Sequence, residues 1–120
     1  MGSGAASQLS EAMNRLWEKF LPQMHERVGT LQSAAARLAS GSALSADEQN
    51  RAGADAHKLA GVLGTFGLNE GTELAREAES LYGGVLDGVP ETTARLTAIA
   101  EQLRAIIAGR RYAGGHGGKS

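Results

Sequence analysis

Apolar residues recur along the chain at spacings of three and four, and no stretch sustains the one-by-one alternation of a strand. From Leu9 they fall at Met13, Leu16, Trp17 and Phe20, which is one face of a helix that Ser7 or Ser10 can cap. Pro22 interrupts, and proline suits a helix's first turn but not its interior. The spacing therefore predicts a break or kink near Leu21, then a second helix carrying Met24, Val28, Leu31, Ala35 and Leu38 and ending at Gly41. Ser45-Ala46-Asp47-Glu48 is a capping-box pattern that opens a third helix lasting to about Phe66, stopped by Gly67. Asn69 starts a fourth, with Leu74, Ala78, Leu81 and Tyr82 on one side and Gly83-Gly84 at its end. Pro90 sits in the first turn of a fifth, whose stripe is Leu96, Ile99, Ala100, Leu103, Ile106 and Ile107. Short connections favour antiparallel neighbours. The expected fold is all-α, an up-down antiparallel four-helix bundle with a short additional N-terminal helix.

Composition narrows this further. The 120 residues suit one compact domain, and with 4% aromatic residues the core must come from Leu, Ala, Ile, Val and Met. The start, Met1-Gly2-Ser3-Gly4, has neither the charged region nor the apolar run of a signal peptide, and residues 1–7 read as a tag or linker remnant. The run from Ala113 to Ser120 is rich in glycine, so residues 111–120 are expected to form a flexible tail and residues 8–110 the folded domain. A net charge of −1 offers no field to hold nucleic acid or anionic lipid. Without cysteine the chain has no disulfide or thiolate metal site, as suits a reducing cytosol, and a cytoplasmic location is expected. No run approaches the roughly 20 apolar residues of a membrane span.

The candidate chemistry lies in the third helix. With about 100° per residue, Leu59, Leu63, Phe66 and Ala52 cluster opposite His57, with Val62 nearby, so the imidazole is expected to face solvent. Within about 60° of His57 lie Asn50, Gly53, Ala54, Ala60, Gly61 and Gly64, where a solvated face would carry long polar side chains. A glycine inside a helix costs roughly 1 kcal/mol against alanine. Three of them on the exposed side of one helix imply that backbone exposure or close approach matters there, unless they serve helix packing.

The run Ala56-His57-Lys58-Leu59-Ala60-Gly61-Val62-Leu63-Gly64-Thr65-Phe66-Gly67 resembles the signature of the histidine phosphotransfer (HPt) domains of two-component phosphorelays. The likeness rests on the histidine, a leucine at +2, a glycine at +4 and a glycine at +10, and helix order extends it over roughly residues 8–108. It implies a phosphocarrier in which His57 accepts a phosphoryl group on Nε2 from a receiver-domain aspartyl phosphate or a histidine kinase, and passes it to another receiver. Gly53, Ala54, Ala60, Gly61 and Gly64 would then form the docking face. Magnesium is expected on the partner receiver only, with no cofactor or metal site on this chain, no intrinsic ATP-dependent kinase activity and a monomeric state. The commonest form of the signature has lysine at +3, where this chain has Ala60. Either this branch manages without that cation or Lys58, about 100° round the helix from His57, substitutes for it.

The other candidates carry less. His25 sits among polar residues, His116 lies in the glycine-rich end, and the three histidines lack metal-ligand spacing. Trp17 and Phe20 read as packing residues, and Arg110-Arg111 is too short a basic run for nucleic acid. Asp55 is expected either to be tied to a neighbouring helix or to lie at the edge of the packing. Two other functions compete with phosphotransfer: a non-phosphorylated HPt-like adaptor binding a receiver or kinase, and a structural helical bundle.

Overall fold

The computed structural model describes the backbone of residues 3–86 and 88–116 and the side chains of residues 7–86 and 88–110. It contains four helices, α1 (Ser3–Ala39), α2 (Ala46–Thr65), α3 (Asn69–Tyr82) and α4 (Pro90–His116), and no strand among the described residues. Each helix packs on the next, and α4 closes back on α1. Cross-helix pairs fix the antiparallel order. Arg27 meets Asp55 and Arg37 meets Glu48 between α1 and α2, Arg95 meets Glu77 between α3 and α4, and Arg110 meets Asn14 between α4 and α1. The all-α bundle is the architecture that the apolar spacing predicts.

One expected element differs. The break near Leu21 does not occur, and the additional N-terminal segment is the first half of an uninterrupted 37-residue α1 with Pro22 inside it. Proline in a helix interior costs about 3 kcal/mol through its lost N–H and its clash with the preceding turn. Trp17 before it and Met24, Val28 and Leu31 after it are all buried in one core. Burying a large apolar side chain is worth about 1.5–3 kcal/mol, so the shared face outweighs the local penalty. The helix α4 likewise continues past its apolar stripe to His116, because glycine weakens a helix without blocking it as proline does. Residues 117–120, the rest of the expected tail, and residues 1–2 lie outside the described residues.

Local chemistry sets both ends of α2. Ser45 Oγ accepts from the Glu48 N–H at 3.0 Å, while the Glu48 carboxylate accepts from the Ser45 N–H at 2.8 Å, completing the capping box. That backbone N–H, ahead of the nearby Arg37, holds the Glu48 carboxyl below the usual carboxylate range. At the other end Gly67 takes φ +72°, and the N–H groups of Leu68 and Gly67 close on the carbonyls of Leu63 and Gly64 at 3.0 and 3.1 Å. This left-handed residue turns the chain sharply and lays α3 back along α2. Gly71 makes the approach close. A β-carbon there would sit 3.0 Å from Leu63 Cδ1 and 3.4 Å from Ile106 Cγ2.

Candidate functional site

Five α2 residues are buried: Ala52, Ala56, Leu59, Ala60 and Leu63. This arc is wider than the leucine stripe, because α2 is flanked by α1 on one side and α3 on the other. Ala60 is therefore a core residue, 5% exposed, and does not belong to the exposed strip on which angular position alone placed it. His57 sits at the shoulder of the arc on the α3 side rather than directly opposite the core, with its side chain 72% exposed.

That position brings it to a residue that the sequence reading missed. Glu79 Oε2, on α3, lies 2.9 Å from His57 Nδ1. An ionised carboxylate only accepts, so in a neutral imidazole the proton of this bond is on Nδ1 and the lone pair is left on Nε2. Glu79 lies on α3 beside the buried positions Ala75, Ala78 and Tyr82. The signal for it was a carboxylate flanking that small-residue stripe, legible only once the register of α3 against α2 is known.

Beside His57 an open groove of about 510 Å³ runs between α2 and α3. Gly53, Ala54 and Tyr82 line it, with Lys58 and Glu79 near the histidine. Its far end is held by Gln49, whose side-chain amide donates to the carbonyls of Tyr82 at 2.7 Å and Gly84 at 2.9 Å, closing the C-terminus of α3. The Tyr82 hydroxyl is buried beneath the groove, and that burial pushes it up to about 12.

The glycines near His57 are not demanded by packing. A β-carbon at Gly61 would meet nothing within 4 Å, one at Gly64 would lie 3.6 Å from Thr72 Oγ1, and one at Gly53 would lie 3.7 Å from Tyr82 Cβ. All three are ordinary or empty surroundings. What the glycines do is keep the surface low on either side of the imidazole.

The remaining candidates separate cleanly. Lys58 is exposed and makes no ion pair among the described residues. Asp55 is tied to α1 through Arg27 at 3.9 Å, which settles its two alternatives in favour of the helix contact. Trp17 is 1% exposed and meets Phe66 edge-on with centroids 5.0 Å apart, while Phe20 is half-buried. Arg110 stacks over the Trp17 and Phe66 rings at 5.0 and 5.6 Å. His25 is exposed on α1, and the side chains of Arg111 and His116 lie outside the described residues. Among the described residues no three His, Asp or Glu side chains converge as a metal site would need, and no helix is long and apolar enough to cross a membrane.

Residues 15–108 match the family model described as the Hpt domain. The curated protein RcaC of Microchaete diplosiphon is 34% identical over 82 residues, which is 68% of this chain and 12% of RcaC. The chain thus spans about an eighth of the length of that relative. No solved structure matches the chain significantly.

Proposed function

The chain belongs to the Hpt domain family of histidine phosphotransfer in phosphorelay signalling, and we propose that His57 Nε2 is the atom that takes up and hands on the phosphoryl group. One observation carries this reading: Nδ1 is engaged by Glu79 while the rest of the ring stands in an open groove. The Nε2 lone pair attacks the phosphorus of a receiver's aspartyl phosphate. A P–N bond forms, the P–O bond to the aspartate breaks, and its electron pair returns to that carboxylate. The imidazole becomes cationic with its Nδ1 proton in place, and Glu79 faces the new charge directly. Delivery to a second receiver, or uptake from a kinase domain, uses the same atom and the same face.

This division of labour suits the rest of the site. In-line phosphoryl transfer needs positioning and electrostatic stabilisation, which a receiver's magnesium site supplies in this reading. The carrier needs only exposure and a surface low enough for approach. Gly53, Ala54, Gly61 and Gly64 furnish that surface, with Lys58 at its margin, and we place the activity on the cytoplasmic side where phosphorelays operate. Ala60, being buried, takes no part in docking.

Removing the carboxylate tests the arrangement. Receivers charged with labelled acetyl phosphate are mixed with the intact chain or its Glu79 variants, and transfer is timed. The intact chain is expected to take up label. Glu79→Ala is expected to slow uptake about tenfold, the worth of one hydrogen bond to a charged group. Glu79→Gln should fall between them, since its amide oxygen still accepts from Nδ1–H but carries no charge. Transfer by Glu79→Ala at the full rate contradicts the role of the carboxylate. Receiver binding without any label on the intact chain indicates an adaptor, and neither binding nor label indicates a structural bundle.

A further inference from the structure

We propose that Arg76 of α3 is the cation that receives the phosphoryl group once it is on His57. The proposal rests on His57 being the phosphoacceptor and adds the group that balances its charge.

The need for a cation follows from Glu79. A phosphoryl group brings between one and two negative charges at neutral pH, and here it arrives beside a carboxylate already bonded to the same ring. The imidazolium between them carries one positive charge, which offsets only part of the two negative groups, and a second cation nearby would balance the rest. The residue three after the histidine cannot supply it, because Ala60 has no charge and is packed in the core.

The register of α3 on α2 brings another side chain to that place. Gly53 lies against Tyr82, His57 against Glu79, and Gly64 against Thr72, so the two helices run past each other antiparallel in a register that varies by about one residue. In that register Arg76 falls level with Ala60, displaced from His57 by about 4.5 Å along the helix axis. On α3 it is one turn before Glu79 and about 60° round from it, away from the buried side that holds Ala75, Ala78 and Tyr82. At that level α2 presents Ala60, buried in the core, and the next α2 residue on the side facing α3 is Gly64. Neither residue carries a long side chain between Arg76 and His57.

Arg76 is also uncommitted. Arg27, Arg37, Arg95 and Arg104 each pair with a carboxylate, and Arg110 is bonded to Asn14 and stacked on two rings. Arg76 is exposed and makes no ion pair among the described residues, although Glu73 and Glu79 lie three positions to either side. Glu79 is held by the imidazole instead. Lys58 differs in direction. It borders the same groove, but it leaves α2 about 100° round from His57, on the side away from Glu79. A planar guanidinium matches two phosphoryl oxygens at once, which an ammonium does not.

The test is the equilibrium between phosphorylated receiver and phosphorylated chain, measured with labelled phosphoryl for the intact chain and for Arg76→Ala, Arg76→Lys and Lys58→Ala. Arg76→Ala is expected to shift the equilibrium toward the receiver five- to tenfold, with Arg76→Lys recovering part and Lys58→Ala shifting it less than Arg76→Ala does. The intact chain's equilibrium should also weaken with added salt more steeply than that of Arg76→Ala. Thermal unfolding should be unchanged, since the side chain is exposed and makes no ion pair among the described residues. Label on the intact chain with an unaltered Arg76→Ala equilibrium overturns the assignment and leaves His57 standing. A larger shift in Lys58→Ala than in Arg76→Ala overturns it in favour of Lys58. No label on the intact chain removes the phosphoacceptor reading and this assignment with it.

Discussion

Replacing His57 with glutamine is expected to abolish phosphoryl acceptance while leaving the fold intact. Glutamine keeps a polar side chain of similar reach but has no nucleophilic nitrogen. The imidazole is 72% exposed, so its removal uncovers no core. The bond to Glu79 is lost, yet an exposed pair of this kind contributes at most about 1 kcal/mol, and exposed substitutions usually stay within about 0.5 kcal/mol. Label transferred from a charged receiver should therefore fall to background, while thermal unfolding moves by no more than a few degrees. Residual label places the acceptor elsewhere. Loss of the fold makes His57 a structural residue instead.

Gly64→Arg should give the opposite pairing of effects, a stability kept or raised with transfer severely reduced. Gly64 lies about 20° from His57 and about 10 Å along α2 toward its C-terminus. A receiver interface of standard size buries about 800 Å² on each partner, a disc of roughly 16 Å radius, so this position falls well inside it. A β-carbon there has Thr72 Oγ1 at 3.6 Å, an ordinary contact, and the rest of an arginine extends outward. Replacing a glycine in a helix interior contributes up to about 1 kcal/mol when the site is open. Across the same face the reacting atoms must come within about 3 Å of each other, which a long side chain in the docking path prevents. Equal transfer rates in a receiver assay contradict the docking face. A lowered melting temperature identifies Gly64 as a packing glycine.

The features that sequence made legible are those decided within one helix. The capping box at Ser45 and Glu48 and the glycine turn at Gly67 are short-range chemistry, and both form as their residues dictate. The exposure of His57 follows from the leucines at 59 and 63, whose burial fixes the rotation of α2. Contacts between helices were less accessible. Pro22 obeys a local rule that the common burial of Trp17 and Met24 overrides, and no local pattern reveals that the two halves of α1 share one core. Ala60 is small enough to sit in the core or on the surface, and only the packing of α3 decides it. Glu79 is 22 positions from His57, and its place depends on a register that the turn at Gly67 sets but does not announce. The rotation of the helix that carries His57 was readable; the carboxylate bonded to it came from the neighbouring helix.

Phosphorylation is expected at a single atom, which nuclear magnetic resonance observes directly. The chain, labelled with ¹⁵N and phosphorylated by a charged receiver, should show one phosphorus coupled to Nε2 of His57, with Nδ1 still protonated toward Glu79. Phosphorus coupled to Nδ1, to His25 or to any other residue would contradict His57 Nε2 as the acceptor, as would a chain that binds the receiver and acquires no phosphorus at all.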